Sequence, residues 1–335
     1  MFPLSADSPA EQALGTRAGP VPDPQEHESP TVTTSSTADP LTGAPVVGLR
    51  HPWRLAASAV VLVIGAQIAH GLFSNPFYQW DRFRSYVFQP VVVDGLWITL
   101  QATAWSAVLG LLGGILLALM RLSGNPLLEA VSWTYIWLFR AVPLIVLLLF
   151  LFNFSALYPE IGIGIPFGPV FTAFDTTDLL GYMVIGVIGL SLNEAAYAAE
   201  VVRAGLHSVD QGQHEAADAL GLSRARQFRR IVLPQALRSI VPAYVNQLVG
   251  LIKASSLLFY VSLLDLFGTV QMLASTHPGD IVPLLLVATV WYVFLTSVLS
   301  VVQFYVERHY ARGALRTIPP TPLQKFRSTV RKRFA

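Results

Sequence analysis

The chain contains no cysteine, which excludes disulfide bonds, thiolate metal sites and cysteine nucleophiles. Charge is scarce too. Asp, Glu, Lys and Arg make up 13% of the 335 residues, against about 25% in typical soluble domains. So few charges cannot cover a water-exposed surface of that size. The sequence also lacks a G-x-x-x-x-G-K-[ST] phosphate loop, an H-E-x-x-H pair and a G-x-S-x-G elbow. No enzymatic constellation is therefore legible, no cofactor is expected in this chain, and any ATP must be hydrolysed elsewhere. His207 and His214 flank Asp210 and Glu215, but their spacing is not that of a compact metal site. A net charge of +2 gives no reason to expect a nucleic-acid partner.

What the chain has in abundance is apolar surface. Hydrophobic residues reach 53%, gathered in runs of the roughly 20 residues that a helix needs to cross a bilayer. An all-α integral membrane protein is expected. Residues 1–50 are rich in Pro, Ser, Thr and Ala and cannot bury enough apolar surface to offset their ordering entropy, so a disordered tail without a signal peptide is expected there. Six spans are expected, near 55–73, 96–120, 132–157, 179–202, 234–260 and 281–306. An aromatic and polar stretch, 75–94, suits an interfacial position. Gly110 and Gly114 lie four apart in the second span, a spacing that lets helix backbones approach closely in lipid.

Arg and Lys set the expected orientation. With a cytoplasmic N-terminus, Arg50, Arg54, Arg121, Arg224, Arg226, Arg229, Arg230 and the basic C-terminal tail all fall inside. The opposite loops carry Glu160, Asp175, Asp178, Asp265 and Asp280. Only the 75–94 stretch departs, with Arg82 and Arg84 beside Asp81 and Asp94.

Between the fourth and fifth apolar runs lies a polar, Arg-rich stretch. Glu215-Ala216-Ala217 is followed after three residues by Gly221, and after nine more by Ile231-Val232-Leu233-Pro234. Residues 215–220 favour helix, and Gly221 permits a turn closed to other residues. Ser223 is a plausible N-cap for a second, basic helix. Pro234 suits the first turn of a further helix, with Leu233 extended before it. Two short helices meeting at Gly221 would form a rigid elbow joined to a membrane helix. A basic amphipathic segment on anionic lipid is the bland alternative, but adsorption does not require these residues at fixed offsets.

The seven positions Glu215, Ala216, Ala217, Gly221, Ile231, Leu233 and Pro234 match the EAA loop of ABC importer permeases. The likeness extends over about 95–308. Gly95-Leu96-Trp97-Ile98-Thr99-Leu100-Gln101, Leu138-Phe139-Arg140-Ala141-Val142-Pro143-Leu144, the Glu194 to Glu200 segment, Leu233-Pro234-Gln235-Ala236-Leu237-Arg238 and Lys253-Ala254-Ser255-Ser256-Leu257 resemble polar amino acid permeases. This resemblance implies the type I importer fold: a five-helix core, here with one extra N-terminal transmembrane helix. It divides the chain into a tail (1–50), the extra helix and connector (51–94), the permease domain (95–308) and a basic tail (309–335). It implies a multi-pass protein of the bacterial cytoplasmic membrane with both termini inside. It further implies two copies of an ATP-binding subunit, a second permease chain in a homodimer or heterodimer, an extracytoplasmic solute-binding protein and an amino acid substrate. Import would proceed by alternating access, whereas hydropathy alone leaves room for a self-powered carrier or channel. Three departures from the family pattern stand out: Ala141-Val142 stands for Gly-Thr, Ser255 for Thr, and Glu194 for Thr or His.

Charges at mid-span cost about 2.5–3.5 kcal/mol each on insertion scales, so they face protein or water. Glu194 and Tyr197 are candidates for a translocation path, or Glu194 is an interhelical partner of Lys253. Asn246 and Lys253, seven apart, share a helix face, and Ser255 follows them. That face either lines a cavity for a carboxylate-bearing solute, or Lys253 snorkels to the interface. Glu200 and Arg203 are expected to pair. Arg140 either neutralises Glu200 or acts in gating.

Overall fold

The computed structural model describes residues 52–165 and 168–310. The disordered tail expected at 1–50 and all but His309 and Tyr310 of the basic tail lie outside the described residues. Helix α1 (Pro52–Ser74) holds no charge beyond Arg54 and exposes its apolar side chains. The chain divides at Ile64–Gly65 into two compact units, and the first contributes only the start of α1 to the described residues.

The connector is a capped helical segment. A 3-10 turn at Pro76–Tyr78 and α2 (Trp80–Val87) follow α1. Tyr86 donates to the buried Asp280 carboxylate at 2.7 Å, and Arg82 lies 3.6 Å from the same group. Trp291 Nε1 donates to the Val87 carbonyl at 2.9 Å. Arg82, the exception to the charge asymmetry, is thus tied to an acid 198 positions away.

Helix α3 (Pro90–Arg121) is the central span. Through its glycines it packs on the later helix α8 (Tyr182–His207). A Cβ added at Gly110 would stand 2.5 Å from Glu194 Cγ, and one at Gly114 2.5 Å from Ala198 Cβ. Helix α4 (Pro126–Ala141) and α5 (Leu144–Phe152) meet at 99°, where an unbroken third span was expected. Val142 is extended (ψ 127) because the following Pro143 ring disfavours helix there. The polar anchors fit this bend: Ser132 donates to the Leu117 carbonyl at 2.8 Å and Tyr135 to the Leu192 carbonyl at 2.9 Å.

After α6 (Phe154–Leu157) comes an antiparallel hairpin, β1 (Glu160–Gly164) and β2 (Val170–Asp175), with Glu160 opposite Asp175. Helix α7 (Thr176–Leu179) leads to α8 (Tyr182–His207), the second buried span. The polar stretch forms α9 (Gln211–Ala219) and α10 (Arg224–Gln227), then runs through a π-helical turn, Phe228–Val232, into α11 (Leu233–Ala254). A 3-10 segment, Ser255–Val261, links α11 to α12 (Leu266–Thr276) across a 45° bend. Helix α13 (Ile281–Tyr310) closes the bundle.

Asp265 lies in the short non-helical turn 262–265 between the 3-10 segment and α12, but it is not an exposed loop residue. Its side chain is fully buried and caps α12 by accepting from Gly268 N at 2.9 Å. Thr99 and Tyr292 each donate to it at 3.3 Å. By length and composition four helices suffice to cross a membrane, or six spans result if each bent pair counts as one. Leu148, Leu190, Leu251 and Leu258 form the main core, and Val92, Leu266, Val270 and Leu284 a second one. Large apolar side chains such as Trp97, Leu116, Phe294 and Tyr305 face outward, the arrangement expected of a surface solvated by lipid.

Candidate functional site

The elbow begins where α8 ends. Asp210 accepts from Gly212 N at 2.8 Å and so caps α9. Gly221 ends it with φ +67°, while Leu222 N donates to the Ala217 carbonyl at 3.1 Å and Gly221 N to the Asp218 carbonyl at 2.9 Å. These two bonds form a Schellman motif, the left-handed close for which glycine is favoured. Ser223 occupies the N-cap position with extended backbone but makes no side-chain cap bond.

One face of α9 is anchored. Ala217 is buried, and the buried Gln227 donates to the His214 carbonyl at 3.1 Å. Gln235 reaches Gln213 at 3.3 Å. Glu215 and Ala216 are exposed, and Leu220 is 77% exposed. A bare leucine beside an acidic turn is a ready contact surface, and no motif had singled out Leu220 or Gln227.

The expectation that Leu233 is extended does not hold. Leu233 is helical (φ −59°, ψ −46°), and the backbone runs without interruption from Arg224 to Ala254. A proline ring crowds the carbonyl four residues back, and the wider π turn directly ahead of Pro234 relieves that crowding. Ile231 and Leu233 are half-buried and Pro234 is exposed. The second arm of the elbow is thus continuous with α11.

The candidate path residues divide into two groups. Ser239, Ala243, Asn246, Gly250 and Lys253 are all exposed, and their spacing forms one small, polar stripe along α11. Beside it, Tyr197 and Glu200 of α8 border a groove of ≈ 440 Å³ whose α11 wall includes Ser239, Ala243 and Gln247. The Arg140 guanidinium lies 5.4 Å from the Tyr197 ring centroid, within cation–π range. Arg203 donates to Glu200 at 2.7 Å, forming the expected pair.

Glu194 and Ser255 point into the bundle instead. Glu194 is 4% exposed against Gly110; Gln247 hydrogen-bonds its carboxylate, while Oε1 is without a partner. Among the described residues Lys253 makes no ion pair, so a Glu194–Lys253 bridge is not formed. Ser255 is fully buried and donates to the Ile252 carbonyl at 2.8 Å. No group of three or more His, Cys, Asp or Glu able to hold a metal occurs among the described residues.

Residues 110–312, which hold the elbow, the stripe and the groove, match the family described as binding-protein-dependent transport system inner membrane component. The chain belongs to this family. It is a permease, the membrane-spanning subunit of an ABC importer, and a multi-pass protein of the cell membrane. It is 40% identical over 272 residues to the arginine transport system permease protein ArgU of Corynebacterium glutamicum, covering 81% of this chain and 84% of that one. It is 31% identical to the glutamate/aspartate import permease protein GltK of Escherichia coli, covering 70% of this chain and all of that one. A crystal structure of an amino acid ABC transporter with histidines aligns with a TM-score of 0.58 at 30% identity, over 68% of this chain and 98% of the other. The permease thus has the type I importer fold. Membership of the family implies an ATPase partner and a substrate-binding protein.

Proposed function

We propose that this permease imports amino acids with polar or charged side chains by alternating access, driven by a separate ATPase seated on the α9 elbow. The observation that carries the reading is mechanical. The Schellman turn at Gly221 fixes the angle between two arms, and one arm continues into α11 without a break. Glu215, Ala216 and Leu220 form the docking face; Ala217, Gly221, Ile231, Leu233 and Pro234 hold its shape. Relatives that carry arginine, or glutamate and aspartate, support an amino acid cargo.

Tyr197, Asn246 and Lys253 line the path in this reading, with Lys253 facing the substrate carboxylate. Glu194 acts from behind Gln247, and Ser255 shapes the end of α11. Arg140, Glu200 and Arg203 hold the inner end of the groove. The elbow and both termini lie in the cytoplasm in this reading, which the concentration of Arg on the elbow supports. The working assembly comprises two permease chains, identical or paired with a sister chain, two ATPase subunits and an extracytoplasmic binding protein. Residues 95–308 make up the permease domain, and α1 with its connector is an addition to it.

The test is to purify the permease with its ATPase and measure ATP hydrolysis stimulated by binding protein across the amino acids. Stimulation by polar or charged amino acids is expected. Solute accumulation by the permease alone, with no ATPase present, would refute the proposal.

A further inference from the structure

We infer that the arginine face of the 224–232 segment is a binding site for the headgroup of an anionic phospholipid. Arg224, Arg226, Arg229 and Arg230 place four cations within seven residues, all exposed. Among the described residues none of the four forms an ion pair. The sequence offers no nearby neutraliser, since there is no Asp or Glu between Asp218 and Asp265. Arg226, Arg229 and Arg230, together with Ser223 and Ala225, line an open recess of ≈ 550 Å³.

Three observations favour a lipid over the ATPase as the occupant. No residue of α9 lines the recess, and it is the buried Gln227 that faces α9 through His214. The recess is therefore lined by the second arm of the elbow alone. The arginines also adjoin the apolar run of α11: Arg230 precedes Pro234 by four residues, roughly 6 Å along a helix. Phe228 lies between the arginines, 38% exposed, and would meet acyl chains that a free anion does not have. The guanidinium fork matches phosphate oxygens in pairs, and juxtamembrane basic clusters concentrate anionic lipid. The inference rests on the proposed assignment of α9 as the ATPase docking face, but not on the cargo.

Because the chain has no cysteine, A225C provides a single fluorophore position at the rim of the recess. The full permease in nanodiscs would be titrated with brominated phosphatidylglycerol or brominated phosphatidylcholine in a phosphatidylcholine background. Preferential quenching by phosphatidylglycerol is expected. R226Q/R229Q/R230Q should weaken that preference by about 125-fold, at roughly fivefold per arginine, and the corresponding lysine variant should retain most of it. Should the glutamine variant fail to insert, the unsubstituted arginines can be tested in high salt, where the preference must fall. Equal quenching by the two lipids, an unaffected glutamine variant or salt insensitivity would overturn the inference. Displacement by excess inorganic phosphate would indicate a soluble-anion site, and loss of quenching on adding the ATPase subunit would indicate a protein contact; either result also overturns it.

Discussion

Gly221 holds φ at +67°, and a Cβ added there meets nothing within 4 Å. Any penalty for substitution is therefore one of backbone conformation, with no clash to complicate it. Holding an L-residue in the left-handed region costs roughly 1–2 kcal/mol, towards the upper end for a β-branched side chain. Asparagine visits this region readily, so Gly221→Asn, Gly221→Ala and Gly221→Val form a graded series. At tenfold per 1.4 kcal/mol, Gly221→Val should lower the population of the closed Schellman turn by about 5–30-fold. The assay is solute transported per ATP hydrolysed in proteoliposomes containing the ATPase and binding protein, with insertion followed separately by yield and monodispersity. Insertion should be unchanged across the series. Coupling should be nearly intact in Gly221→Asn, reduced in Gly221→Ala and lowest in Gly221→Val. Wild-type coupling in Gly221→Val would refute the conformational argument, as would equal losses in the asparagine and valine variants, which would point to lost contact surface instead.

Three further outcomes follow from the geometry. Gly110→Leu drives a side chain into Glu194 Cγ and Cβ, and should destabilise the α3–α8 contact by about 1–3 kcal/mol, read as a lower melting temperature in detergent. Lys253→Met should raise the half-saturating amino acid concentration while leaving basal ATP hydrolysis unchanged; an unchanged half-saturation would remove Lys253 from the path. Tyr86→Phe leaves the buried Asp280 with Arg82 alone and should cost about 1–3 kcal/mol. The hydrogen bond to Asp280, with burial, holds the Tyr86 phenol above its ordinary pKa of 10.0. A raised folded-state value means that the contribution is complete below pH 10 and is lost as pH rises through the folded pKa. The wild-type melting temperature should therefore drop more steeply above pH 10 than that of Tyr86→Phe, and parallel curves would rule the bond out as a source of stability.

The first arm of the elbow was legible because local chemistry defines it, helix formers ended by a glycine that turns left, whereas the proline misled, since Pro234 lies within continuous helical backbone. The α4–α5 bend was equally local, since Val142 precedes Pro143, yet an apolar run read by hydropathy alone conceals it. Asp265 was legible only in part: its non-helical position was expected, its burial was not. An acid after an apolar run reads as a loop, but this one is satisfied by its own helix cap and by Thr99, 166 positions earlier. The pairing of Arg82 with Asp280 and the burial of Gln227 are tertiary in the same way and leave no local signal. The hairpin escaped notice because Ile161-Gly162-Ile163-Gly164 alternates with glycine, which weakens any strand pattern. For Glu194 the sequence located the charge in a span, but which way it points depends on Gly110 of the neighbouring helix.

The most direct measurement of the central claim uses the absence of cysteine once more. Ala216 is exposed on α9, so A216C gives a single thiol on the docking face. In the assembled importer it should form a cross-link to the ATPase subunit whose yield changes with nucleotide, and in intact cells it should resist membrane-impermeant thiol reagents. Labelling from outside the cell, or an ATPase that cannot be captured in any nucleotide state, would contradict the account.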